Sequence, residues 1–167
     1  ATPIGNRADI SLRALHVLQL ADTVACEDTR PTQALLRAYG IDKSAAQLLA
    51  VHQHNEAEAA QAVVQRLQQG QRVAYVSDAG TPGVSDPGAR LVAAVQAAGL
   101  RAMPLPRPSS ITTALSVAGA VAHSHDQGGF VFAGFLPTKS AGRAAVIQLQ
   151  WAQEPRCVVL LEAPHRI

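Results

Sequence analysis

Val73-Ala74-Tyr75-Val76-Ser77-Asp78-Ala79-Gly80-Thr81-Pro82-Gly83-Val84-Ser85-Asp86-Pro87-Gly88 joins an apolar run to a loop made mostly of Gly, Pro, Ser and Asp, and a helical pattern starts at Ala89. The apolar run reads as a buried strand. Three glycines in the loop permit positive φ or close backbone approach, and two prolines stiffen the turns between them. Open α/β sheets bind ligands in the crevice beyond the carboxyl ends of their strands, which is where this loop stands. The alternative is a long surface turn, in which Asp78 and Asp86 bond to their own backbone as turn formers.

Outward from this segment, strand and helix patterns alternate. Asp9 or Ser11 is placed to cap a helix carrying Leu12, Leu15, Leu18 and Leu20. A buried-type strand at 23–26 precedes Glu27-Asp28-Thr29-Arg30, and a helix over 32–39 stops at Gly40. A strand at 48–51 leads into His52-Gln53-His54-Asn55, where Asn55 can cap a helix ended by Gly70. After the 73–76 strand come a helix ended by Gly99 and a strand over 100–105. This repetition predicts a mostly parallel sheet with helices on both faces. Pro104, Pro106 and Pro108 interrupt regular structure, so a first domain is assigned to 1–105 and the start of a second to 106–167. The second carries a helix capped by Ser109 or Ser110, a polar loop over 123–129, a strand over 130–135, a helix over 142–151 and a strand over 157–161. Trp151, with Ile147 and Leu149 nearby, reads as core rather than as a stacking platform.

Composition narrows the function classes. The chain has 167 residues, 48% of them hydrophobic and 16% charged, and a net charge of +2, so no general basic surface announces nucleic acid, although a local patch can still bind phosphate. Cys26 and Cys157 lie in apolar runs outside any C-x-x-C pair, which points to buried thiols in a reduced, cytoplasmic setting. No apolar run approaches membrane-spanning length, and no basic-then-apolar secretion signal is present. No Gly-Lys-Ser/Thr follows a glycine loop, which excludes a P-loop nucleotide hydrolase.

Six segments, in order, carry a resemblance: Ala1-Thr2-Pro3-Ile4-Gly5-Asn6, Glu27-Asp28-Thr29-Arg30, His52-Gln53-His54-Asn55-Glu56, the 77–88 loop, Gly134-Phe135-Leu136-Pro137 and Glu162-Ala163-Pro164-His165-Arg166-Ile167. The chain resembles the tetrapyrrole methylase superfamily, and within it the ribosomal RNA small subunit methyltransferase I family. The resemblance implies two α/β domains with S-adenosylmethionine (SAM) in the cleft between them, no Rossmann glycine fingerprint, and transfer of a methyl group to the ribose 2'-oxygen of a cytidine in 16S ribosomal RNA. It implies a small-ribosomal-subunit substrate, a homodimer, and no role for DNA, a membrane or a metal. It also implies a first strand before Ala1 and further sheet after Ile167.

The same resemblance assigns cofactor contacts to Pro3, to Asp78, Ala79, Gly80, Thr81, Pro82, Val84 and Ser85, to Pro108, Ser109 and Ser110, and to Phe135, Leu136 and Pro137. The family has Gly where this chain has Arg107. Either that side chain points to solvent, as residues before proline allow, or it obstructs the ligand. A ribose hydroxyl is a poor nucleophile, so Glu27 or Asp28 is a candidate proton acceptor and Arg30 a candidate phosphate clamp. In the alternative, Asp28 caps the next helix and Glu27 pairs with Arg30. Asn6, His52, His54, Lys139 and Arg143, with His165 and Arg166, are candidates for an RNA-facing rim. The rival for the cations is a solvated surface, and for the histidines helix capping. His52 and His54 share a strand face but have no carboxylate or Cys cluster to complete a metal site.

Overall fold

A computed structural model describes residues 1–85, 87–106, 109–119 and 129–163. Asp86, Arg107, Pro108, most of the 123–129 loop, and the closing Pro164, His165, Arg166 and Ile167 lie outside the described residues. The contacts divide the chain into two units, Ala1–Ser109 and Ser110–Ile167.

The first unit is a parallel α/β layer. Its order is α1 (Leu12–Leu20), β1 (Thr23–Cys26), α2 (Thr29–Ala38), β2 (Leu48–Ala50), α3 (Glu56–Gln68), β3 (Val73–Val76) and α4 (Ala89–Ala97). The strands lie in the order β2-β1-β3, all parallel, with Val24 opposite Leu48 and Ala74, and Cys26 opposite Ala50 and Val76. β1 is central and wholly buried, as a parallel strand covered on both faces should be.

Side-chain alternation sorts the strands into two cores. Val24, Cys26 and Val76 pack with Leu18 and Ala21 at α1 and with Leu36 of α2. Ala25 and Val51, with the partly buried Tyr75, face Ala59, Ala60, Val63 and Val64 of α3 and Leu91 and Val95 of α4. Each fully buried Val or Leu contributes about 1.5–3 kcal/mol relative to exposure. Ser11 caps α1 through Ala14 N, and Gly40, Gly70 and Gly99 follow α2, α3 and α4 at the expected positions. At the amino ends of the strands Arg72 pairs with Asp22, and its backbone N–H also donates to that carboxylate.

Two expectations are corrected here. The expected strand over 100–105 pairs with no strand among the described residues. Instead, residues 101–105 line an apolar slot of about 590 Å³ beside β3, and Pro104 lacks a donor. The helix expected over 32–39 starts earlier, at Thr29, because the Asp28 side chain accepts from Arg30 N and caps it there.

The second unit holds α5 (Ser110–Ser116), β4 (Phe130–Phe135), α6 (Ser140–Val146) and β5 (Cys157–Leu161). β4 and β5 pair in parallel, with a register shift between Phe132 and Gly134. The helix expected over 142–151 begins at Ser140 and ends in a π-helical turn, Ile147–Trp151. Trp151 is half-buried rather than fully in a core, and Leu149 is exposed.

Candidate functional site

The strand order sets the location. β1 leads through α2 to β2 on one side, and β2 returns through α3 to β3 on the other. The direction therefore reverses between β1 and β3, and a crevice opens beyond their carboxyl ends. Glu27-Asp28-Thr29-Arg30 leaves β1 at this point and the 77–88 loop leaves β3 beside it.

Three separate segments are stitched together there. Thr2 N donates to Gly80 O at 3.0 Å and Gly80 N donates back to Thr2 O at 3.1 Å. The buried Thr2 hydroxyl donates to Ser77 O at 2.8 Å, and the Ser77 hydroxyl donates to Gly80 O at 2.9 Å. Asp28 N donates to Asp78 Oδ1 at 3.3 Å, which ties the β1 loop to the β3 loop. Gly80 has φ +80°, a left-handed conformation that strains any other residue. Among the described residues, the backbone N–H groups of Ala79 and Thr81 have no hydrogen-bond partner. Among the described residues, such N–H donors beside a left-handed glycine at a switch crevice suit an anionic group such as the carboxylate that SAM carries.

A cavity of about 290 Å³ lies beside this seam, lined by Pro3, Arg7, Pro31, Thr32, Leu35, Ser77 and Asp78 among others. Thr81 and Pro82 instead face the slot along β3, and Val84 and Ser85 are exposed. Ser109 and Ser110 fall at the junction of the two units. In the second unit Phe135 is 56% exposed at the end of β4, Leu136 is half-buried and Pro137 is exposed.

The charged candidates divide by the bonds they already make. Asp28 caps α2 and takes both the Nε and Nη2 of Arg30, at 3.2 and 2.7 Å. The Arg30 guanidinium, first through these bonds and then through its charge, holds the Asp28 carboxyl below its ordinary value. Arg30 is thus paired with Asp28. Glu27 is half-buried at the end of β1. The Asn6 side chain accepts from Ala8 N, and Arg143 donates to Thr138 O at 2.8 Å, so both have local structural work. Lys139 is exposed ahead of α6.

His52 and His54 stand edge to face with ring centroids 6.0 Å apart. Among the described residues no group of three or more His, Cys, Asp or Glu side chains could hold a metal ion. The Nδ1 of His52 is buried without a partner. Asn55 does not cap α3 with its side chain; it accepts from His52 N at 2.8 Å and donates to Ala50 O at 3.1 Å, locking the β2–α3 turn.

Sequence reasoning missed Thr2, Arg7, Thr32, Ser77 and Glu56. Thr2 and Glu56 lie inside quoted motifs, yet their partners are 75 and 32 residues away. No local spacing signals such contacts.

The chain is 48% identical to the ribosomal RNA small subunit methyltransferase I of Escherichia coli over 166 residues, covering 99% of this chain and 55% of that protein. It is 47% identical to the protein of the same name from Pseudomonas aeruginosa over 167 residues, covering 100% and 56%. The chain thus spans about half the length of these curated relatives. The solved uroporphyrin-III-C-methyltransferase of Thermus thermophilus shares the fold at a TM-score of 0.62 and 23% identity, with 99% of this chain and 66% of that one covered. The family model of the tetrapyrrole (corrin/porphyrin) methylases matches residues 1–167, and the chain belongs to that family.

Proposed function

We propose that the chain is the SAM-binding and catalytic part of a methyltransferase that modifies the ribose 2'-oxygen of a cytidine in small-subunit ribosomal RNA. The observation that carries this reading is the seam of Thr2, Ser77, Asp78, Gly80 and Asp28 at the β1/β3 switch, in a chain 46–48% identical to ribosomal RNA small subunit methyltransferases I. The N–H groups of Ala79 and Thr81 would receive the polar groups of SAM. Pro3, Asp78, Pro82, Val84 and Ser85, with Pro108, Ser109, Ser110, Phe135, Leu136 and Pro137, complete the proposed contacts. When bound, SAM supplies a methyl group on a sulfonium, an electrophile for in-line displacement.

The protein's own contribution is alignment and removal of a proton. Holding the two reactants in line supplies much of the rate of such a displacement. Asp28 is engaged by Arg30 and by the α2 backbone, and its lowered affinity for protons makes it a weak base. Glu27, at the carboxyl end of β1, is the proposed proton acceptor, with Asp28 and Arg30 shaping the crevice. Asn6, His52, His54, Lys139 and Arg143 are proposed for the RNA-facing rim.

Transfer of labelled methyl from SAM to small ribosomal subunits lacking their modifications, followed by nuclease digestion, tests the function. Label in a cytidine 2'-O-methyl is expected. Bound SAM with no label in RNA would sink the RNA reading and leave a small-molecule acceptor. Glu27→Gln should lower kcat about 10²–10⁴-fold if Glu27 takes the proton. A loss under tenfold would make it a positioning group only.

A further inference from the structure

Glu56 is a buried carboxylate, 9% exposed, at the start of α3. Its Oε1 accepts from Gly88 N at 2.9 Å and from Arg90 N at 3.1 Å. Among the described residues it forms no ion pair, so the two N–H groups and the positive end of α4 balance its charge. These donors are the orphan N–H groups that open a helix. Gly88 is the N-cap of α4 and has no side chain with which to satisfy them.

The absence of a side chain at Gly88 is forced. Gly88 has φ +132°, and a Cβ there would sit 2.5 Å from Tyr75 Cε1. The Tyr75 hydroxyl donates to Pro87 O at 2.6 Å and holds the ring against the loop. The cap must therefore come from elsewhere, and Glu56 supplies it across 32 residues of sequence. Asn55 fixes the turn that presents it.

We propose that Glu56 is a positioning residue that holds the distal end of the 77–88 loop in its ligand-binding shape. Thr2 and Ser77 grip the proximal end through Gly80. Glu56 and Tyr75 grip the distal end at Gly88 N and Pro87 O. The His52-to-Glu56 motif is in this sense a brace for the loop. The functional consequence rests on the reading of that loop as the SAM site.

The test compares Glu56→Ala and Glu56→Gln with the parent in the full chain, by SAM calorimetry and by site-resolved amide exchange. Both hydrogen bonds converge on Oε1, so the carbonyl of Gln can accept them, whereas Ala leaves both donors unpaired. The expected result is a SAM Kd raised about tenfold in Glu56→Ala, with most of the affinity restored in Glu56→Gln. Amide exchange at Gly88 and Arg90 should quicken in Glu56→Ala while the β1 amides stay protected. Unchanged SAM affinity in Glu56→Ala overturns the proposal. So does a loss of protection that spreads through β1, since Glu56 would then serve the fold alone. A parent chain without SAM affinity defeats the functional reading instead, and the exchange at Gly88 and Arg90 still decides whether Glu56 anchors the loop.

Discussion

Single side chains in this protein owe their roles to what surrounds them. Cys26 is fully buried in β1, and that burial pushes its thiol above the ordinary value. It should resist thiol reagents in the native protein and react only on unfolding, which a timed labelling experiment checks. Adding a methyl group at Gly88 would drive it into the Tyr75 ring, so Gly88→Ala should cost about 1–3 kcal/mol in chemical denaturation. Glu154 shows the effect of an exposed arginine partner. The hydrogen bonds from Arg156 lower its carboxyl from 4.5 to about 2. A depressed folded value stabilises the native state above pH 4.5 and loses that contribution as the pH falls through about 2. Carboxyl NMR should find Glu154 titrating near 2, and near its ordinary 4.5 in Arg156→Ala. An unshifted titration in the parent protein would show that the pair does not form in solution.

At the scale of elements, helix ends carry the local stability. The buried Lys43 donates from Nζ to Gln19 O at 3.0 Å and Ala21 O at 2.6 Å, the carbonyls that close α1. A cation at that end also opposes the negative pole of the helix. Lys43→Met keeps most of the stem but leaves both acceptors unpaired, and should cost about 1–3 kcal/mol in a denaturant titration. The glycine stops of α2, α3 and α4 were legible in the sequence, because a helix terminus depends on a few adjacent residues. α2 starts three residues before the expected 32–39 span, because the Asp28 side chain accepts from Arg30 N and sets the start at Thr29. The strand over 100–105 failed for a different reason. Its apolar composition was right for a strand, but pairing needs a neighbour, and the slot separates it from β3.

For the whole molecule, β3 is an edge strand among the described residues, with the apolar slot beside it. An exposed apolar edge invites pairing with another chain. Recognition of the assembled small subunit belongs to the functional proposal, which is tested on such subunits. The modest net charge of +2 suits an enzyme that reads the shape of a particle. Equal activity on protein-free RNA would defeat that element of it.

The amino-acid sequence alone determined the alternation of strand and helix, the parallel character of the sheet, and the ligand-type loops at the strand ends. Those features follow from period-2 and 3.6-residue patterning and from turn chemistry, all of which act over a few residues. Only the tertiary structure decided the order β2-β1-β3, and with it which loops meet. The Thr2–Gly80 seam, the Asp28–Asp78 contact and the Glu56 brace all join residues distant in sequence. Such pairs are selected by how the strands pack side by side, and spacing along the chain carries no record of that choice.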